Sequence, residues 1–152
     1  MTYSPYSDEF WQYFALTFGV IYGFALLFGL AVWVVTAIAM MRFFRKVGVE
    51  GWIAWIPIYN QWKFLEVGGH HGALALLSLV PVGSYVVLVF QIIGMHRIGI
   101  SFGKDSGFLV LGIFLPFVWM FLLARPQEFY DLNRLAWAGQ PMPRAGYGAV
   151  PR

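Results

Sequence analysis

Residues 10–41 form a run of 32 positions without a single Asp, Glu, Lys or Arg. Two further uncharged runs follow, 24 positions over residues 72–95 and 19 over residues 106–124. A helix needs roughly 20 mostly apolar residues to cross a bilayer, and all three runs reach or approach that length. The composition shows why water is the wrong solvent for them. Apolar residues make up 60% of the 152 and charged residues 11%, against about 25% charged in a typical soluble domain. A soluble domain of this size buries too small a share of its surface to hide such an excess. In lipid, a helix satisfies its own backbone within each segment. The expected fold is therefore an all-α integral membrane helical bundle. Its membrane domain covers residues 1–124, with spans near 13–41, 73–95 and 107–124. Residues 125–152 form a juxtamembrane helix and a disordered tail.

The first run is not expected to be a cleaved signal peptide. Asp8 and Glu9 precede it, no Lys or Arg occurs before Arg42, and the run exceeds the roughly 7–15 residues of a signal core. Cysteine is absent, which excludes disulfides and thiolate metal sites. The net charge of +3 does not call for a nucleic acid, because the basic residues flank the apolar runs as orientation signals do.

The stretch "GWIAWIPIYNQWKFLEVGGHHG", residues 51–72, decides the topology. If it stays on one side, three spans place Arg42, Arg45, Lys46, Lys63, Arg125, Arg134, Arg144 and Arg152 in the cytoplasm and only Arg97 and Lys104 outside. If it crosses, there are four spans, Lys63 lies within the bilayer and the tail arginines are outside. The positive-inside rule favours three, with the N-terminus outside and the C-terminus in the cytoplasm. Pro57 breaks the stretch and can open a helix. Beyond it, Asn60, Lys63, Glu66 and His70 share one helical face, with Ile58, Trp62 and Leu65 on the other. Residues 50–70 are thus expected as an interfacial or re-entrant Pro-broken segment, with Trp52, Trp55, Tyr59 and Trp62 at headgroup depth.

Three segments repeat glycine, an apolar run and proline: "GWIAWIP" at 51–57, "GALALLSLVP" at 72–81 and "GFLVLGIFLP" at 107–116. Such repeats are typical of transporters, although glycine and proline are also common in membrane helices generally. Pro81 and Pro116 are expected to kink their spans. In the first span Ala15, Gly19 and Gly23 recur every four residues, a stripe that lets helix backbones approach in lipid. It is the expected contact with another membrane protein or with a second copy.

"GWIAWIPIYN" at 51–60, "SFGKDSGF" at 101–108 and "GIFLPF" at 112–117 resemble an uncharacterised bacterial membrane family. That family shares a Gly-Trp, Ile-Pro-Ile-Tyr-Asn, Ser-Phe-Gly-Lys and Leu-Pro-Phe pattern and is sometimes found beside type I signal peptidases. The resemblance covers roughly residues 48–124. It implies a polytopic domain of the bacterial inner membrane with no established activity. Where many members resemble "IPIVN", this chain has "VPVGS" at residues 80–84, without the asparagine.

The residues carry little chemistry. Ser101 and Lys104 fit S-x-x-K, but the partner motifs of that nucleophile are absent and the pair sits in a short loop closed by Gly103 and Gly107. Glu66, His70 and His71 are too few for a supported metal site, and Lys63 with Glu66 reads as a weak surface pair. The spans hold few polar side chains, such as Gln12, Thr36, Ser78 and Gln91, and no charge, which disfavours an ion-coupled pump. In the tail, Phe129, Leu132 and Leu135 suggest a short surface helix stopped at Gly139. No catalytic, cofactor or metal residue is expected. The expected role is a non-enzymatic accessory or packing subunit of a larger membrane complex. The alternative is an oligomeric small-solute channel or transporter.

Overall fold

The first charge-free run folds as one uninterrupted helix, α1 (Asp8–Lys46), in the computed structural model, which describes residues 8–143. No proline interrupts it. Asp8 and Glu9 in its first turn and Arg45 and Lys46 in its last complement the helix dipole. It closes with Val49 N–H donating to the Phe44 carbonyl at 2.8 Å across Gly48, whose φ is +82°. A left-handed glycine here lets the chain cap the last carbonyls and turn away. The same six-to-one closure ends α2 (Tyr59–Val67), α3 (Pro81–Ser101) and α6 (Asn133–Trp137).

The chain divides at Val35 and Thr36 into two compact units. The first, as far as it is described, is the leading part of α1 alone. In the second, every regular element among the described residues is a helix: the end of α1, a 3₁₀ turn at Gly51–Trp55, α2, a 3₁₀ segment at Gly72–Leu79, α3, α4 (Ser106–Phe114), α5 (Pro116–Leu123) and α6.

Each glycine–apolar–proline repeat is a helical hairpin with proline at its turn. In the first, Asn60 Nδ2 reaches back to the Ala54 carbonyl at 3.1 Å, and Trp52 and Tyr59 lie ring to ring at 6.1 Å. The turn contains a γ-turn: Tyr59 N–H donates to the Pro57 carbonyl at 2.7 Å around Ile58, with φ +67° and ψ −49°. That is the strained hand of this turn, and a β-branched residue there is a genuine outlier. In the second hairpin, the 3₁₀ segment lies antiparallel to α3. Ser84 Oγ donates to the Ser78 carbonyl at 3.2 Å, Ala75 packs with Val87, and His70 meets Phe90 at 5.1 Å. In the third, α4 and α5 fold back at Leu115–Pro116, so that the Phe108 and Trp119 rings meet at a tilt, 6.1 Å apart. Asp105 caps α4 by accepting from Phe108 N–H at 3.0 Å.

The hairpins close over two apolar clusters. Phe43 is the hub of the larger one, with ring contacts to Phe64, Phe102 and Trp119 at 6.2, 6.4 and 5.9 Å. Trp119 is wholly enclosed. The smaller cluster joins Leu65, Ala75 and Val87, with Ile58 and Trp62 against it.

Several expectations change. Residues 73–95 and 107–124 are not single helices: each is interrupted at its proline, which starts a new helix at its first position instead of kinking an existing one. A straight span over residues 107–124 would also hold Lys104 and Glu128 roughly 30 Å apart, the thickness of the hydrocarbon core; they pair at 2.6 Å. The segment 50–70 is a 3₁₀ turn and a helix on either side of Pro57. It packs between the two clusters, with Phe64 and Val67 buried in one and Leu65 in the other. The tail helix begins at Asn133, and Phe129 precedes it, exposed; Leu135 is buried, and Gly139 follows the helix as expected. Of the disordered end expected from Gly139 onward, residues 144–152 lie outside the described residues.

Candidate interaction surface

The hairpins of the second unit have apolar turns and polar feet. Leu79, Val80, Val82 and Tyr85 at the second turn are exposed, as are Ile113 and Phe114 at the third; Val82 reaches 75% and Phe114 78%. Some of the polar groups at these turns are satisfied from within. Val80 N–H donates to Leu77, Ser84 N–H to Val80 and Trp119 N–H to Leu115, all at 3.0–3.1 Å, and Ser78 Oγ donates to the Ala75 carbonyl at 2.6 Å. Exposed carbon suits hydrocarbon, where each bonded peptide group avoids a cost of several kcal/mol.

At the feet, polar contacts tie the segments together. Lys46 Nζ donates to the Arg125 carbonyl. Lys104 pairs with Glu128, and Asp131 N–H donates to the Ser101 carbonyl at 3.0 Å. Arg97 Nη1 donates to the Gly68 carbonyl at 3.0 Å and lies 3.3 Å from His70 Nε2. Gly68 and Gly94 face each other so closely that a Cβ on Gly68 would stand 2.6 Å from the Gly94 Cα.

Three titratable groups feel this packing: burial lowers the pKa of the Lys46 ammonium, partly offset by Glu128. Burial, and then the neighbouring Arg97 guanidinium, hold the His70 imidazole below its usual pKa. Burial pushes the Tyr130 phenol up, with Ser101 acting weakly the other way.

The residues considered for chemistry are drawn to separate partners. Ser101 Oγ is buried and donates to the Ile98 carbonyl at 2.9 Å, while the Lys104 ammonium is paired with Glu128. Glu66 accepts from Trp62 Nε1 at 2.8 Å and from Lys63 at 3.1 Å, whereas His70 turns to Arg97. Among the described residues no three His, Asp or Glu side chains are grouped to hold a metal. The expected Lys63–Glu66 pair forms, largely screened from solvent at 16% and 15% side-chain exposure. The Arg97–Gly68 contact was not legible: nothing local to Arg97 points 29 residues back.

The first unit is different in kind. From Asp8 to Val35 no residue of α1 is buried, and Phe14, Phe18, Phe24 and Phe28 are all exposed. A shallow groove on this helix is lined by Gln12, Ala15, Leu16, Gly19 and Val20. A Cβ on Gly19 or Gly23 would meet no atom within 4 Å. By length and composition, α1 and α3 are the two helices among the described residues able to cross a membrane.

A model of a family of unknown function, DUF5684, matches residues 52–131. That interval starts one residue into the first hairpin and runs through the third to the foot at Asp131. No curated protein and no solved structure matches the chain.

Proposed function

We propose, from the premise that this chain belongs to the DUF5684 family, that it is a non-enzymatic membrane protein acting as an accessory or packing subunit of a larger membrane complex. The observation that carries this reading is α1. Its leading 28 residues, from Asp8 to Val35, expose aromatic and aliphatic side chains on every face. In water such a surface would aggregate; in lipid it is stable, and the open Ala15, Gly19, Gly23 stripe lets another helix approach backbone to backbone. The charges fit a bacterial inner membrane, with acidic Asp8 and Glu9 outside and the Arg42–Lys46 cluster in the cytoplasm. The resemblance to domains found beside type I signal peptidases makes a secretion component the partner to look for first.

A second reading, an oligomeric small-solute channel or transporter, draws on the three proline-turned hairpins, since broken helices often build transport sites. Purification in mild detergent separates the two. A foreign membrane protein at fixed stoichiometry, lost on Gly19→Leu, supports the subunit reading. A symmetric homo-oligomer supports the channel, and a monodisperse monomer contradicts both.

A further inference from the structure

We propose that the second and third hairpins enter the bilayer from one side and return to it, so that their turns are surrounded by acyl chains and their feet face one compartment. This rests on the reading of the chain as a membrane protein and adds what that reading leaves open: which segments cross. Three independent observations converge on it.

The first is the closed ring of contacts between feet. Lys46 meets Arg125, Glu128 meets Lys104, Ser101 meets Asp131, and Arg97 meets Gly68. These residues lie at the ends of α1, α2, α3 and α5, on both sides of every hairpin. Residues in contact cannot be separated by a bilayer, so residues 68, 97, 104, 125 and 128 share a side.

The second is length. Each of the nine residues of α4 rises about 1.5 Å, giving a hairpin arm of roughly 14 Å. The eight-residue 3₁₀ segment at about 2 Å per residue spans roughly 16 Å. The hydrocarbon core is about 30 Å thick, so the third turn ends inside it. Of the hairpin helices, α3 has the length to cross, but Pro81 lies only 16 residues, roughly 24 Å of helix, from the foot contact at Arg97, and from the Val80–Pro81 turn the chain comes straight back along it.

The third is chemical. No charge lies between residues 72 and 95 or between 106 and 124, the turns expose Val82 and Phe114, and the N–H groups of Val80, Ser84, Leu115 and Trp119 are bonded internally. A turn meant for the opposite aqueous face would carry polar residues instead. The placement also moves Arg97 and Lys104, the two basic residues that a three-span chain leaves outside, to the side of Arg42, Arg45 and Lys46, as the positive-inside rule requires. Only α1 then crosses completely.

The chain has no cysteine, so single-cysteine variants can be read directly. Ser106→Cys and Gln127→Cys are exposed and leave the Lys104–Glu128 pair in place; Val82→Cys and Phe114→Cys report the turns. Each variant, in carbonate-washed vesicles of both orientations, is treated with a membrane-impermeant maleimide. The result expected is labelling of positions 106 and 127 from the same side, with positions 82 and 114 reactive only after detergent. Labelling of 106 and 127 from opposite sides overturns the proposal, as does labelling of 82 or 114 from the side opposite 106. Release of the protein by carbonate would overturn the membrane reading itself, an outcome distinct from either. A nitroxide at the same four positions gives a second readout, with 82 and 114 expected to be relaxed by oxygen and 106 and 127 by a water-soluble nickel chelate.

Discussion

Trp119 and Phe24 are both large aromatic residues in uncharged helical segments, yet Trp119 is wholly enclosed and Phe24 is 72% exposed. Composition does not separate them. What does is the path of the chain. An uninterrupted helix such as α1 has no neighbour within its own segment, so residues 8–35 keep their side chains outward. Where proline turns the chain back after about nine residues, each arm supplies the other with a packing partner. Burial in this molecule follows the breaks, and the apolar surface left over marks where lipid or another protein must do the covering.

The largest expected effect lies in the turned-back region. Trp119 has no hydrogen-bond acceptor for its indole N–H among the described residues, so packing holds it. Trp119→Ala should cost about 3–5 kcal/mol, seen as a large fall in the detergent unfolding midpoint. Phe24→Ala should leave that midpoint unchanged, and a comparable loss would break the contrast. Gly68→Ala comes next, because the opposing atom is the Gly94 backbone, which cannot swing aside; a loss of about 1–3 kcal/mol is expected.

Smaller effects sharpen the picture of the feet. The Lys104 and Glu128 side chains are 28% and 22% exposed, and Lys104→Ala should cost about 1 kcal/mol, less at high salt. The His70 shift sets a pH dependence. Unfolded, its imidazole takes a proton near pH 6.5; folded, burial and Arg97 delay this to lower pH. Its contribution is therefore complete above about pH 6.5 and declines as pH falls from there toward the lowered value. Chemical denaturation across pH 5–8 should show this slope, and His70→Gln should flatten it. Smallest of all, Gly19→Leu should not change the unfolding midpoint, since nothing lies within 4 Å of that position, while abolishing any helix–helix association through the stripe.

Much of this was written in the residues. Uncharged runs give the helices, and the glycine–apolar–proline repeats mark where they are interrupted. Two helix ends were legible too, at Gly103 and Gly139, whereas the caps at Gly48 and Asp105 were not singled out. Crossing was the hard part. Counting apolar residues treats 107–124 as one span, because proline is tolerated within membrane helices. Whether Pro116 kinks a helix or starts an antiparallel one depends on what the second arm packs against, here Phe43, Phe102 and Phe108 around Trp119. Those contacts reach across tens of residues and leave no local mark. The polar face of α2 misled for a similar reason: Asn60 and His70 look wet by spacing, but their partners are the Ala54 carbonyl and Arg97.

The account turns on where the hairpin turns stop within the bilayer. Measuring the depth of nitroxides at positions 82 and 114, from their relative relaxation by oxygen and by a water-soluble nickel chelate, addresses this directly. Both probes should sit within the hydrocarbon, short of the far headgroups, with oxygen the stronger relaxer from either side. A probe at either position relaxed mainly by the nickel chelate, in water beyond the opposite headgroups, would mean that the turn crosses completely and would contradict the account.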